Sequence, residues 1–248
     1  MATLRNLKSF EKILAAYQLS PKAQKILDSV PLVLLTAPSS SGRNTIIHEL
    51  VASGSYHFVV SDTTRPPRHN NEELEKNGVH YWFRSEDEVL KDLKLGNYLE
   101  AEIIHKQQVS GISIRELERA GKEDKVAITD VDIGGAENIL QLKPDVKVLF
   151  VLPPSYEEWQ RRLKHRGHMS QAEHRRRMET AQQIFITALK RTDISFIIND
   201  QLNKAVEHVH EIVFDQQQDQ KYQHLAHELI EHLLLETNKF LQPAVAKT

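Results

Sequence analysis

The chain has 248 residues, enough for one large domain with appendages, which excludes a small stapled scaffold. Its 32 Lys and Arg against 34 Asp and Glu leave a net charge of −2, so no bulk basic field draws the whole chain onto nucleic acid or anionic lipid; any basic site must be local. With 40% hydrophobic residues, no cysteine and no apolar run long enough to span a bilayer, the sequence reads as a soluble globular chain without disulfides, thiolate metal sites or a cysteine nucleophile, and an N-terminus without a signal peptide's apolar core points to the cytoplasm.

In chain order, Leu4, Leu7, Phe10, Ile13, Leu14 and Tyr17 recur at three- and four-residue spacings and predict an amphipathic helix. Ser20-Pro21 then reads as the N-cap and first turn of a second helix, so residues 1–30 form a helical prefix. From Pro31 the run PLVLLT reads as a strand, followed by a Ser-rich turn and a helix over Thr45–Gly54. Further short apolar runs lie at His57–Ser61, Val126–Val131, Lys147–Leu152 and Ser195–Ile198. Short buried strands alternating with helices predict an α/β fold with a mainly parallel sheet, whose ligands bind beyond the carboxyl ends of the strands.

Residues 61–115 have a different texture, polar and turn-rich, with short antiparallel strands predicted toward Ser113, and read as an inserted subdomain. Two helical patterns close the chain, one through Val206, Val209 and Val213 and a longer one through Tyr222, Leu225, Leu229, Leu233 and Leu234, separated by DQQQDQ. The apolar stripes of prefix and tail must be buried, against the rest of the chain or in a homodimer through the terminal helices. Trp82 and Trp159 read as packing residues. His224, His227 and His232 read as solvated helix residues, with no H-E-x-x-H pattern among the 13 histidines.

The turn after the first strand, Ala37-Pro38-Ser39-Ser40-Ser41-Gly42-Arg43-Asn44-Thr45, is rich in small residues and leads into a helix, the arrangement that can aim backbone N–H groups at phosphate oxygens. Against the phosphate-loop pattern G-x-x-x-x-G-K-[ST] only the second glycine is kept: Ala37 replaces the first, Arg43 the lysine and Asn44 the hydroxyl. By pattern alone this is a small-residue turn.

Several further segments, in order, resemble guanylate kinases, which move a phosphoryl group from ATP to GMP. They are SDTTRPPR, NGVHYWF, GNYLE, SGIS, TDVDIGGA, RRLKHRG followed by HRRRM, and FIIND, and with the loop they span about residues 31–215. The resemblance implies a P-loop NTPase-type fold: a mainly parallel sheet flanked by helices, a monophosphate-binding insert over about 61–115, a helical lid over about 157–182, and extensions at 1–30 and 216–248.

It also implies roles. Ser39, Ser40, Ser41, Gly42, Arg43, Asn44 and Thr45, with Arg166 and Asn199, are expected to bind ATP; Mg²⁺ accompanies the nucleotide, near Asn44 and Asp130. Arg43, Asp130, Arg162, Arg166 and Arg177 are expected at the transferring phosphoryl group. Between Arg161 and Arg177 seven Lys and Arg face a single carboxylate, Glu173, a local cation supply suited to phosphoryl transfer, although a solvated basic face has the same composition. Ser61, Arg65, Arg68, Tyr81 and Ser113 are expected around the GMP phosphate. Glu100 and Asp132 are expected at the guanine, whose N1–H and 2-amino donors want acceptors, although a carboxylate at a strand end also serves as a helix cap. No nucleic-acid or membrane partner is expected.

The chain departs from the resemblance in the loop at Ala37 and Ser40, which replace glycines, and at Arg43 and Asn44, and beyond it at Ser110, where the family has a tyrosine, and at Ile112, which displaces the following hydroxyl. The TTRPPR–NGVHYWF connection is about four residues longer than usual, tolerable at a surface. These departures leave an alternative function open, a catalytically impaired module that binds GMP or a protein partner.

Overall fold

The computed structural model describes residues 3–70, 73–165, 169–215 and 219–242. Its elements begin with α1 (Leu7–Leu14), α2 (Pro21–Ser29), β1 (Leu32–Thr36), α3 (Arg43–Ala52) and β2 (Tyr56–Phe58). Next come β3 (Asp62–Thr63), β4 (His69–Asn70), β5 (Glu73–Leu74), β6 (Trp82–Phe83), α4 (Glu86–Lys94), β7 (Tyr98–Ile104), β8 (Gln108–Ser113) and α5 (Ile114–Lys122). The chain continues through β9 (Val126–Asp130), α6 (Ile133–Leu142), β10 (Lys147–Leu152), α7 (Tyr156–His165), α8 (Gln171–Leu189), β11 (Ile194–Ile198), α9 (Leu202–His210) and α10 (Gln220–Leu241). Two compact units emerge: Met1–Leu32, Gly54–Thr129 and Glu137–Val146 form one, and Val33–Ser53, Asp130–Ala136 and Lys147–Thr248 the other.

In the second unit β1, β10 and β11 pair side by side, all parallel; in the first, β2 pairs with β9, also parallel. β1, β9 and β10 are apolar runs buried along almost their whole length, as parallel strands covered on both faces must be. Strands and helices of both units and the parallel pairing of β1, β10 and β11 and of β2 and β9 make this the α/β class with a mainly parallel sheet read from the sequence. The first unit also holds an antiparallel-rich sheet in the order β6-β3-β8-β7, built on the β7–β8 hairpin.

Local chemistry fixes the prefix. Ser20 caps α2 by accepting from the Ala23 N–H at 3.2 Å, with Pro21 in the first turn, where its missing N–H costs nothing. The stripe of α1 is covered within the chain: Phe10 is fully buried in a cluster with Leu4, Val89, Leu93, Tyr98 and Val109. At the outer edge of the sheet, the Tyr17 hydroxyl accepts from the Tyr98 N–H at 2.7 Å and donates to the Tyr98 carbonyl at 2.6 Å.

The tail does the same only in part for the second unit, since Leu225 of the predicted stripe is exposed. Ala226, Ile230 and Leu233 of α10 are buried, and α10 packs on α8 and β11. β11 is a terminal strand, and its outward backbone groups are met by side chains: Gln223 Oε1 accepts from the Phe196 N–H at 2.8 Å, Gln223 Nε2 donates to the Phe196 carbonyl at 3.1 Å, and the Tyr222 hydroxyl accepts from the Ile198 N–H at 2.6 Å.

Several element bounds differ from the sequence reading; α1, for one, spans Leu7–Leu14 and stops short of Tyr17. α3 starts at Arg43 rather than Thr45 because Gly42, at φ +91°, turns the chain directly into the helix. β2 ends at Phe58, although the Val59 N–H still bonds to the Ile128 carbonyl at 2.9 Å. The helix through Val206 and Val209 widens into a π-helical turn over Glu211–Asp215. Among the described residues no helix is long and apolar enough to cross a membrane.

Candidate nucleotide site

In the second unit the turn after β1 is held from outside by its carbonyls. Asn199, 6% exposed at the end of β11, donates from Nδ2 to the Ser41 carbonyl at 2.8 Å. Arg162 of α7 donates to the same carbonyl at 3.3 Å and to the Asn199 carbonyl at 3.1 Å. Trp159, also of α7, donates its indole N–H to the Ser39 carbonyl at 2.8 Å. The packing role read for Trp159 is thus joined by a polar one. The Thr45 and Ile46 N–H groups bond to the Gly42 carbonyl at 3.1 and 3.2 Å, and the positive end of the α3 dipole makes the start of this helix a natural anion seat. Gly42 is required twice over: its φ is left-handed, and a Cβ there would stand 2.1 Å from Asn199 Nδ2.

The turn lines a cavity of about 620 Å³ together with Arg162, Thr180 and Ile184, and a second cavity of about 240 Å³ sets Arg176 and Arg177 beside Ser39. Of the two family glycines the chain has lost, one proves demanding. Ser40 sits at φ +67°, a conformation costing a side-chain-bearing residue roughly 1–2 kcal/mol, whereas Ala37 shows no positive φ.

Arg43 does not extend over the turn. Its guanidinium is ion-paired with Asp130 at the end of β9 and donates to the Val131 carbonyl at 3.4 Å. The arginines of the basic segment are likewise engaged by carboxylates. Glu158 takes Arg161 at 2.6 Å and Arg162 at 2.8 Å, and these two guanidinium groups hold its carboxyl at about 2. Glu173 takes Arg176 at 2.6 Å and Arg177 at 2.9 Å. Glu158 was not singled out in the sequence, though its three- and four-residue spacing to Arg161 and Arg162 is the signal of helix-face ion pairs. Arg166 lies outside the described residues.

In the first unit β3 delivers the TTRPPR segment. Asp62, almost fully buried, anchors that strand by accepting from the Tyr98 hydroxyl at 2.5 Å, from Arg84 at 3.2 Å and from Arg115 at 2.7 Å; burial raises its pKa above the usual carboxylate range. Arg65 is 6% exposed and lies over the Tyr81 ring, 4.8 Å from its centroid. Its fork is gripped by Glu75, with Nη2 donating to Oε1 at 2.9 Å and Nη1 to Oε2 at 2.5 Å, and Glu75 Oε2 also accepts from the Arg68 N–H at 2.8 Å. These contacts hold the Glu75 carboxyl at about 2, the Arg65 hydrogen bond being the largest cause. Glu75 too went unnoticed in the sequence; it sits in the lengthened connection, where only a long-range partner gives it meaning.

Arg68 reaches Gln108 at 3.4 Å, and Ser110 donates to the Thr63 hydroxyl oxygen at 3.0 Å. Glu100 stands opposite Ile112 in the β7–β8 register, beyond a bulge at Tyr98–Glu100. Ser61 precedes β3, with its carbonyl accepting from the Trp82 N–H at 2.9 Å. Ser113 is buried and caps α5, its Oγ accepting from the Arg115 N–H at 3.3 Å. In the second unit Asp132 caps α6, its Oδ1 accepting from the Gly135 N–H at 2.7 Å. Asn44 and Thr45 are exposed in the first turn of α3. Among the described residues no group of three or more His, Cys, Asp or Glu forms a metal cluster, and His224, His227 and His232 pair along α10 with Glu228, Glu231 and Glu236.

Residues 29–216 match the family model described as guanylate kinase. The chain is 33% identical over 185 residues to a guanylate kinase of Porphyromonas gingivalis, covering 73% of this chain and 95% of that protein. It is 36% identical over 180 residues to one of Salinibacter ruber, covering 71% and 91%. In fold it is similar to the crystal structure of guanylate kinase from Anaplasma phagocytophilum, with a TM-score of 0.54 at 22% identity, covering 87% of this chain and 98% of that one.

Proposed function

Since this chain belongs to the guanylate kinase family, we propose that it transfers the terminal phosphoryl group of ATP to GMP, giving ADP and GDP, through the residues gathered in its two units. The observation that carries the reading is the carbonyl-clamped turn of the second unit, with its helix N-terminus, its cavity and the adjacent Arg162, Arg176 and Arg177. Phosphoryl transfer needs little else from a protein: two anions must be positioned and the charge on the moving group stabilised by preorganised cations.

In this reading Ser39, Ser40, Ser41, Gly42, Asn44 and Thr45 seat the ATP phosphates. Arg43, Arg162, Arg166 and Arg177 neutralise the phosphoryl group, the carboxylate partners of Arg43, Arg162 and Arg177 being exchanged for phosphate when nucleotide binds. Asn199 holds the seat in shape. Ser61, Arg65, Arg68, Tyr81 and Ser113 take the GMP phosphate, while Glu100 and Asp132 accept from guanine; cap duty at Asp132 leaves its second carboxylate oxygen for that purpose. Mg²⁺ keeps most of its water and takes few protein ligands, so a site offering only the Asp130 carboxylate and the Asn44 carbonyl fits it once Arg43 releases Asp130. Bound there with ATP, the ion would offset charge on the polyphosphate. We place the activity in the cytoplasm, with 31–215 as the kinase domain, 61–115 as its monophosphate-binding insert and 157–182 as its lid.

The test is GDP formation from GMP and ATP with Mg²⁺, with AMP and CMP as alternative acceptors. Turnover with GMP above that with AMP or CMP is expected. GMP binding without turnover would favour the impaired module, and equal use of AMP would remove the guanine-reading role of Glu100 and Asp132.

A further inference from the structure

The tail helix α10 carries two seams. Ala226, Ile230, Leu233 and Thr237, in steps of four, three and four residues, are buried within the second unit. A second series, Lys221, Leu225, Glu228, His232, Leu235 and Lys239, runs in steps of four, three, four, three and four, and every member of it is exposed. Leu225 and Leu235 keep 56% and 52% of their surface open to solvent. Alternating steps of three and four residues are the heptad spacing by which one helix lies along another. The inner seam has its partners in the chain; the outer one has none among the described residues.

The outer seam is also a palindrome about Ile230. Positions equally far from that residue are Leu225 and Leu235, Glu228 and His232, and Lys221 and Lys239. Two copies of α10 laid antiparallel, with a two-fold axis at the level of Ile230, therefore bring Leu225 of each to Leu235 of the other and Glu228 of each to His232 of the other. Apolar meets apolar, and a carboxylate acceptor meets an imidazole donor. A parallel pairing would instead set Glu228 on Glu228 and His232 on His232, so charge complementarity selects the antiparallel one. The groups that remain like-charged lie at the margins and are already partnered along the helix: Lys239 pairs with Glu236 at 2.7 Å, and Glu231, flanking the axis, with His227 at 3.5 Å. The pairs that Glu228 and His232 make along α10, with His224 at 3.4 Å and Glu236 at 3.9 Å, are exposed ion pairs of small worth and can be exchanged.

We propose that the outer seam of α10 is a docking surface for a second copy of this chain, forming an antiparallel two-fold dimer with Leu225 on Leu235 and Glu228 on His232 on either side of Ile230. The surface lies beyond residues 29–216 matched by the family model, so it belongs to the extension of this chain and is independent of the phosphoryl-transfer reading. With two leucines per copy in the seam, the contact is a weak and reversible one.

Sedimentation equilibrium of the full-length protein, over about 1 to 200 μM, tests it. The unaltered chain is expected to reach a dimer and no larger species, because an isologous contact closes on itself. Glu228→Lys sets a cation against the imidazole and His232→Glu sets carboxylate against carboxylate, so each variant alone is expected to dimerise at least about tenfold more weakly. Mixed in equal amounts, the two are expected to dimerise as the unaltered chain does: the new lysine of one meets the new glutamate of the other, while the remaining Glu228 and His232 still face each other. Leu225→Gln, which changes no charge, is expected to weaken the dimer in its own right and is not rescued by either charge variant. All three positions are exposed, and far-UV helicity and thermal midpoint equal to those of the unaltered chain check that each variant folds. An unaltered chain that stays monomeric throughout would overturn the proposal, leaving the seam to solvent or to another partner. So would single variants that dimerise as tightly as the unaltered chain, or a mixture that associates no better than its components; GDP formation is read separately and bears on the kinase reading alone.

Discussion

Arg43 and Asp130, 87 positions apart, are joined as an ion pair at the mouth of the donor turn. Both side chains are about a quarter to a third exposed, so the pair is held by geometry more than by burial, and its strength is moderated by solvent. A planar guanidinium matches a carboxylate better than an ammonium does, which explains why a chain with arginine here makes this contact. Nucleotide phosphate and metal would have to separate the partners, one taking each.

Removing the cation should therefore be costly to turnover. Arg43→Ala is expected to lower kcat by about 10²–10³-fold, the usual effect of deleting one preorganised charge-stabilising donor. Arg43→Lys should restore most of it, because lysine supplies the charge while pairing less tightly with Asp130. Steady-state GDP formation checks this; an alanine variant as active as the parent would show that the side chain only pairs with Asp130.

Glu75 fixes the fork of Arg65, so its effect should fall on acceptor binding. Glu75→Gln is expected to raise KM for GMP about tenfold, with kcat changed less than twofold and KM for ATP unaltered, and the loss corresponds to about one charge-assisted hydrogen bond. A fall in kcat at unchanged KM would place Glu75 outside acceptor recognition.

Acid sensitivity follows from the same pair. The Glu75 carboxyl is held at about 2, below its ordinary value near 4.5, so the folded state favours its charged form. That contribution is complete above about pH 4.5 and is lost as pH falls toward 2. Thermal midpoints measured between pH 6 and pH 2 should thus converge for the parent and Glu75→Gln as pH drops, with the parent ahead at the upper end. A gap that stays constant would refute the linkage.

Phe10 tests whether the prefix belongs to the folding unit. It is fully buried among Val89, Leu93 and Tyr98, so Phe10→Ala should destabilise the protein by about 3–5 kcal/mol. Urea unfolding checks this. A loss below about 1 kcal/mol would mean that α1 is only loosely applied.

The parallel strands were legible because continuous apolar runs report burial on both faces, and the terminal helices because their stripes recur with helical period. Ser20-Pro21 announced its cap by residue type alone. What periodicity encodes is that a side chain is buried, not what it meets, so the partners in the site stayed hidden. Trp159 looked like packing until its indole was seen on the Ser39 carbonyl, and Glu158 and Glu75 carried no mark apart from their arginines. The left-handed backbone at Ser40 was foreseeable only as a condition on a lost glycine, which the fold meets at Ser40 and waives at Ala37.

The tyrosine hydroxyls at the two sheet margins bear on how the protein can be handled. Tyr17 from the prefix and Tyr222 with Gln223 from the tail occupy main-chain groups of Tyr98, Phe196 and Ile198 that a foreign strand would otherwise pair with. A clone trimmed to the span of the family match would keep every motif yet uncover both margins, and should clump on expression where the intact chain stays dispersed.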